Sequence, residues 1–379
     1  MKFRIDKKKL SVLTSTVSRA ASGKSTIPIL TGLHISANKE SGLTMTATDM
    51  EIGIKSYQRE VDILEEGEAL VNAGYFDNFI KLLPDGPVDI TLDREGSRLV
   101  VAYGRSTGKI NIYDESEYPG LPAGKTRKKF SFPQMVLKDA LRKTVFASAQ
   151  NHFRQVFTGV LFDFKEDGVI RIVASDTHRM AYYSYISEQS GIEPFQFVIP
   201  SRTVNELLRF LDDIDDIEIT LSENNVIFNN QKFMLLSRLI EGQYPNYEQV
   251  IPANIVSDVF FSTGSLLNTL ERARVMPTDD KIKIPHIQLS FGENEAQINS
   301  YSEAVGDISE VLENVSLSGE KDIKIAFNTN YFLDIVRILE TECDNIKVSF
   351  SGMHGPAIVR NEEKDNYIYV MVPLRTATN

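Results

Sequence analysis

The chain has 379 residues, with 42% hydrophobic and 25% charged, the proportions of a folded protein with two or three domains rather than a disordered one. Its single cysteine, Cys343, excludes an intrachain disulfide and a cysteine-based zinc site, and suits a reducing compartment. With 41 basic against 52 acidic residues and a net charge of -11, the surface as a whole cannot be a nucleic-acid glove, but a local basic stripe is compatible with it.

Leu10, Leu13 and Val17 lie at helical spacing and predict an amphipathic helix near the start. The same stretch carries Ser11, Thr14, Ser15 and Thr16, too polar for the apolar core of a signal peptide. No run of about 18 apolar residues occurs, so no membrane-crossing helix is expected and a cytoplasmic location is. Ser22-Gly23-Lys24-Ser25-Thr26 resembles the tail of a phosphate-binding loop, but Ser18 stands where that loop needs its first glycine. The segment then runs into Ile27-Pro28-Ile29 and not into a helix start, so a plain connecting loop is the reading. Strands follow, alternating as in Val88-Asp89-Ile90-Thr91-Leu92, with turn signals such as Pro84-Asp85-Gly86 and Ser222-Glu223-Asn224-Asn225. Further helices are predicted over 75–83, 203–211 and 331–339, and from Leu137 and Leu267.

These elements recur with a period near 127. Asp49, Asp176 and Glu303 are 127 residues apart, as are Val71, Val198 and Ile325, each of which precedes a predicted helix. Tyr118-Pro119 and Tyr244-Pro245 recur at 126. Each unit reads as a helix, strands, a second helix and more strands, with strands about three times as frequent as helices. Short turns between strands favour an α+β fold with antiparallel sheets over a doubly wound parallel sheet. The expected domains are 1–127, 128–254 and 255–379.

The sequence gives no positive sign of an enzyme. His34, His152, His178, His286 and His354 are scattered, without the paired spacing of a metal site, and no metal or cofactor is expected. Ser175-Asp176-Thr177-His178 gathers a hydroxyl, a carboxylate and an imidazole, but neighbours in sequence rarely align as a triad. The repeat also argues against a hydrolase, because His178 has no counterpart in the other units. A monomeric protein-binding scaffold is a second alternative. Basic residues gather on the predicted helices: Lys24 and Lys81, Lys138 and Arg142, and Arg202 with Arg209, seven apart and so on one face. Such a run is usually a solvated face. The functional reading is a basic surface turned toward phosphates, without base readout.

The opening Met1-Lys2-Phe3, Thr26-Ile27-Pro28-Ile29-Leu30 and Ser175-Asp176-Thr177-His178-Arg179-Met180-Ala181 carry a family resemblance. So do Tyr244-Pro245-Asn246-Tyr247, Phe327-Asn328-Thr329-Asn330-Tyr331 and Tyr369-Val370-Met371-Val372-Pro373-Leu374-Arg375. Over its whole length the chain resembles the bacterial replicative sliding clamps. The resemblance implies three homologous domains, with helices lining a central hole and antiparallel sheets outside, in a ring formed by a head-to-tail homodimer. Such a ring encircles duplex DNA and tethers the replicative polymerase; the clamp loader and repair proteins are further partners. It implies DNA contact by Lys24, Lys81, Lys138, Arg142, Arg202 and Arg209.

By the same resemblance, a pocket for partner peptides would be formed by Arg154, Phe157, Ser175, Thr177, His178, Arg179, Met180, Pro245, Val250, Asn328, Tyr331, Val370, Val372, Pro373, Leu374 and Arg375. Its floor would be Met180, Pro245, Val250, Val372 and Leu374, with Arg179 and Arg375 at the rim. The dimer contact would involve Arg105, Lys109, Ile110, Ile112, Val275, Met276, Glu303 and Asp307. Thr177 replaces a glycine common in the family, Gln249 replaces an arginine found in some members, and Thr376-Ala377-Thr378-Asn379 extends the end.

Overall fold

The same order of elements runs three times along the chain in a computed structural model that describes residues 1–23, 26–121, 124–166, 168–187, 193–277, 284–292 and 294–375. The first repeat holds β1 (Lys2–Asp6), α1 (Lys7–Val17), β2 (Gly32–Asn38), β3 (Gly42–Thr48), β4 (Ile52–Gln58), β5 (Asp62–Glu65), β6 (Gly67–Asn72), α2 (Ala73–Leu82), β7 (Pro87–Asp93), β8 (Arg98–Tyr103) and β9 (Ser106–Tyr113). The second holds β10 (Lys128–Pro133), α3 (Gln134–Thr144), β11 (Gly159–Phe164), β12 (Val169–Ser175), β13 (Arg179–Ile186), β14 (Phe195–Pro200), α4 (Ser201–Leu207), β15 (Asp216–Leu221), β16 (Asn225–Asn229) and β17 (Phe233–Arg238). The third holds β18 (Ser257–Ser262), α5 (Thr263–Ala273), β19 (His286–Phe291), β20 (Glu295–Ser302), β21 (Gly306–Glu313), β22 (Ser316–Gly319), β23 (Lys324–Asn328), α6 (Thr329–Glu340), β24 (Asn345–Phe350), β25 (Ala357–Asn361) and β26 (Tyr367–Met371).

Every strand pairing is antiparallel, as the short turns require. Two features differ from the sequence reading. Each repeat begins with a strand before its first helix. β1, at five residues with only Phe3 and Ile5 turned inward, is too short for its alternation to stand out. The second helix of the middle repeat ends at Leu207, so Arg209 lies beyond it and does not share a helical face with Arg202.

The chain forms two compact units. One comprises 1–138 with 205–239, the other 139–204 with 240–379, so the middle repeat is divided within α3 and α4. In the first unit one sheet runs β10-β15-β16-β17-β4-β3-β2-β6-β9-β8-β7-β1-β5. In the second a sheet runs β14-β11-β12-β13-β26-β25-β24-β18-β22, and a smaller one runs β21-β20-β19-β23. Consecutive repeats are thus joined edge to edge. β4 pairs with β17, Gly53 opposite Leu236, and β13 pairs with β26, Met180 opposite Val370.

The helices bury one face against their sheets: Leu10, Leu13 and Val17 on α1, Phe76 and Ile80 on α2, and Phe332, Leu333, Val336 and Leu339 on α6. Asp6, Asn72 and Asn328 cap α1, α2 and α6 by accepting from backbone N–H groups of the first turn. In the second unit the Lys143 ammonium, only 6% exposed, lies between Asp139 and Glu342 at 2.8 Å each and ties α3 to the end of α6. In the first, buried Asp77 on α2 accepts from Thr14 Oγ1 at 3.0 Å and Ser15 Oγ at 2.9 Å on α1 and pairs with Lys81.

Asp77→Ala removes that tie while Thr14 keeps its bond to the Ser11 carbonyl. The expected loss is about 1–2 kcal/mol. It is read as a lower urea midpoint with an unchanged slope, and an unchanged midpoint would show that the tie contributes nothing.

Candidate functional site

A tight turn between the third and fourth strands of a repeat is built the same way twice. In the second repeat the Ser175 hydroxyl donates to the Arg179 carbonyl at 2.8 Å and accepts from the Thr177 N–H. Asp176 Oδ1 accepts from the N–H groups of His178 and Arg179 at 3.0 and 2.9 Å. In the first repeat Thr48 and Asp49 make the same bonds to Met50, Glu51 and Ile52. The 127-residue recurrence of an aspartate therefore marks a structural turn. Glu303 occupies the corresponding turn between β20 and β21. With the Ser175 hydroxyl committed to a carbonyl and Asp176 to backbone and Arg179, these groups have roles in the turn and not in a hydrolase triad. Thr177 and Met50 both hold φ near +76° in this turn, a conformation costly for a side chain branched at Cβ.

Arg179 leaves this turn into the body of the second unit. Its guanidinium meets Asp176 at 3.0 Å, Asp334 at 2.6 Å and the Phe146 carbonyl at 2.7 Å, and it lies 4.3 Å from the centre of the Tyr331 ring. Burial alone would lower its pKa, but Tyr369, Asp334 and Asp176 outweigh that and hold it above the usual value. Its side chain is only 10% exposed, so Arg179 is a buried tie and not the rim residue the sequence suggested. No sequence signal marked Asp334 as its partner.

The remaining pocket residues fall into layers. Met180, Val370 and Phe157 are buried in a core with Leu161, Val173, Tyr244 and Tyr247. Met180, expected in the pocket floor, and Val370, expected in its wall, are each only 1% exposed. The apolar groups that reach solvent are Val250 and Val372, with Pro245, Pro373 and Leu374 half-buried. The segment 372–374 is pinned by backbone bonds: Val372 N–H donates to the His178 carbonyl at 2.9 Å and Leu374 N–H to the Ala326 carbonyl at 2.7 Å. Thr177, His178 and Arg375 are exposed. Asn328 caps α6 and Tyr331 lies under Arg179, so both stand close behind the segment. Arg154 is exposed over the ring of Phe153, an exposed aromatic that the sequence reading missed. Tyr247 donates to Asp163, and burial first, then that carboxylate, pushes its phenol pKa well up.

Those of the expected cations that are described sit on helices or just past a helix end, and most already hold a carboxylate. Lys81 pairs with Asp77, Lys138 with Asp213 at 3.0 Å, Arg142 with Asp139 and Glu342 at 3.3 and 3.0 Å, and Arg209 with Glu206 at 3.5 Å. Arg202 lies on α4, and Lys24 lies outside the described residues. In the first unit Arg19 approaches the same Glu206 at 3.8 Å, and together with Lys7, Lys8 and Arg209 it borders one cavity of about 480 Å³. Lys7 and Lys8 were not singled out from sequence, because a lysine run reads as an ordinary solvated end. Of the expected dimer residues, Arg105 is in the β8–β9 turn, Lys109, Ile110 and Ile112 are on β9, Val275 and Met276 follow α5, Glu303 is in the β20–β21 turn and Asp307 is on β21.

Three family models cover the chain: the N-terminal domain of the DNA polymerase III beta subunit matches residues 1–122, its central domain 131–246 and its C-terminal domain 248–375. The beta sliding clamp of Halalkalibacterium halodurans is 31% identical over 99% of this chain and 100% of its own length. That of Bacillus subtilis is 28% identical over 99% and 100%. Among solved structures, the sliding clamp from Bacillus subtilis matches with a TM-score of 0.92 at 28% identity, covering 99% of each chain. A Pseudomonas aeruginosa clamp bound to griselimycin matches with a TM-score of 0.92 at 25% identity, covering 99% of this chain and 100% of its own.

The turn yields a paired prediction. Thr177→Gly relieves the left-handed strain at the cost of a more flexible unfolded chain, for a net gain of about 0.5–1 kcal/mol. Asp176→Ala removes the acceptor of two backbone N–H groups and one partner of a nearly buried guanidinium, for a loss of about 2–3 kcal/mol. Chemical denaturation of both variants checks the opposite signs.

Proposed function

The chain belongs to the bacterial beta sliding clamp family, the beta subunits of DNA polymerase III, and from that premise we propose that two copies close head to tail into a ring around duplex DNA. The supporting observation is a pair of open strand edges. Inside the chain, β4 pairs with β17 and β13 with β26. The third-repeat counterpart of β4 and β13 is β21, since Ile52, Arg179 and Gly306 are 127 apart. The first-repeat counterpart of β17 is β9, since Ser106 and Phe233 are 127 apart. Among the described residues β21 pairs only with β20, and Ser106–Asn111 of β9 only with β8. A second copy supplies each missing neighbour, β21 of one protomer against β9 of the other. Such an interface joins unlike surfaces and closes after two copies. Ile110 and Ile112 would then meet Val275 and Met276 of the second copy, with Arg105 and Lys109 facing Glu303 and Asp307.

The domains of this ring are 1–127, 128–254 and 255–379, and their helices line the hole. Lys24, Lys81, Lys138, Arg142, Arg202 and Arg209 contact phosphates without reading bases. The protein acts without catalysis, as a processivity subunit in the cytoplasm. The replicative polymerase, the clamp loader and repair proteins dock a short extended peptide on Val250, Val372 and Leu374, with Arg154 and Arg375 beside it and Met180 and Val370 beneath.

Two measurements test this reading. Val275 is 77% exposed in one protomer, so Val275→Asp with Met276→Asp leaves the protomer folded but places unpaired charge in the proposed interface. Sedimentation should then give about half the wild-type mass, and a persisting dimer would remove this interface. The second is salt dependence. Lys138→Gln with Arg142→Gln should flatten the plot of log affinity for duplex DNA against log salt by roughly 0.9 for each phosphate no longer neutralised, equally for all sequences. An unchanged slope would take these two residues out of the DNA-binding surface.

A further inference from the structure

The sheet crossing behind the peptide surface occurs a second time, in the first unit, with a different filling. Tyr118-Pro119 runs beside the β4–β17 crossing as Tyr244-Pro245 runs beside β13–β26. In the second unit Leu161, Val173 and Met180 are buried there and Tyr182 packs against them. The residues 127 positions earlier are His34, Thr46, Gly53 and Lys55, each shorter or more polar. The apolar side of the crossing is kept: Leu236 and Ile227 hold the register positions of Val370 and Ile358. The result is a cavity of about 470 Å³ at the position where the second unit buries Leu161, Val173 and Met180. Leu121 fills only part of the space, lying so near Gly53 that a Cβ there would come within 2.3 Å of it.

The charges in this cavity are unequally satisfied. Glu68 faces His34 at 3.4 Å and accepts from the Ser36 hydroxyl, and Glu115 lies 3.8 Å from Arg94. His34 stacks on Tyr118 with ring centres 5.8 Å apart. Burial pushes the Tyr118 phenol up to about 12, so it faces the cavity uncharged. Lys55 is half-buried in the wall near the Tyr57 ring, and among the described residues no carboxylate comes within ion-pair distance of it. A partly desolvated ammonium without a counter-charge, beside an apolar wall, favours an anion attached to an apolar body.

We propose that this cavity is a second ligand site, which takes an apolar side chain with a carboxylate beside it, the carboxylate on Lys55 and the apolar part against Leu236 and Ile227. The chemistry fits the free C-terminus of a peptide ending in an apolar residue, and equally a small arylalkyl acid. The site is separate from the peptide surface of the second unit and stands independently of ring closure.

The test uses the full chain and three probes: N-acetyl-Leu-Phe with a free carboxylate, its carboxamide, and 4-phenylbutyrate. Binding is read by calorimetry and by the shift of the Met234 methyl signal, Met234 being in the cavity wall. The free acid should bind about tenfold more tightly than the carboxamide, and Lys55→Met should erase that difference. Thr46→Val with Lys55→Tyr installs the residues of the closed crossing and should abolish binding. If that pair unfolds the protein, Lys55→Met alone decides. Tighter binding of the dipeptide than of phenylbutyrate assigns the site to a chain terminus, and the reverse assigns it to a free acid. The proposal is overturned if neither acid moves Met234, or if Lys55→Met binds acid and carboxamide with the wild-type preference.

Discussion

The antiparallel pairing of β13 with β26 is the constraint on which the second unit depends. It sets Met180 opposite Val370 and so fixes which side chains of two distant segments share a core. It also brings the turn at 175–179 beside the chain end, where Val372 bonds to the His178 carbonyl. A slip of one residue would turn every side chain of β26 to the other face and exchange the sides on which Tyr369 and Val370 are buried. Arg179 reinforces the register from below, since its bonds to Asp334 and the Phe146 carbonyl fit only one placement of the turn. The placing of Val372 beside the 175–179 turn is thus a by-product of joining two repeats edge to edge.

The cations on the helices follow a different logic. Lys81, Lys138, Arg142 and Arg209 each hold a carboxylate of the same chain, mostly at exposed or half-exposed positions where a pair contributes about 0–1 kcal/mol. Such pairs open easily, so a phosphate can take the place of the carboxylate at little cost. The net gain per exchange is correspondingly small. Cations held this loosely are suited to many weak, interchangeable contacts rather than to a fixed grip. They are also compatible with a chain of net charge -11.

Much of this order was legible in the sequence because it repeats. Asp49 and Asp176 mark the same turn, and the helical periodicity of 75–83 and 331–339 coincides with α2 and α6 to within two residues at each end. The opening strands were hidden by their brevity, and the end of α4 by an apolar pattern that continues through Phe210 and Leu211 after the helix has stopped. The layering of the pocket was not legible either. Sequence places Arg179 among polar residues of a turn, where a charged group is expected at the surface. Its burial depends on Asp334, 155 residues away, and on an aromatic ring brought in by α6. Phe153 was missed because a single exposed aromatic leaves no periodic trace.

The two crossings also show how far a duplicated unit can diverge without losing its backbone. The turn, the strand register and the Tyr-Pro segment are kept in both, while the side chains above the crossing change from Leu161, Val173, Met180 and Tyr182 to His34, Thr46, Gly53 and Lys55. Backbone pairing supplies the geometry in each case, so the filling is free to vary. Where the filling is apolar, it is buried as core. Where it is short or polar, the same backbone keeps an opening of about 470 Å³, with Lys55 in its wall. An apolar void of that size would be a steep loss, on the order of 24 cal/mol per Å³ if it stayed empty. The polar groups around Lys55 and Glu68 make it hospitable to water or to a ligand instead. The fold therefore keeps at one crossing an opening that apolar side chains fill at the other.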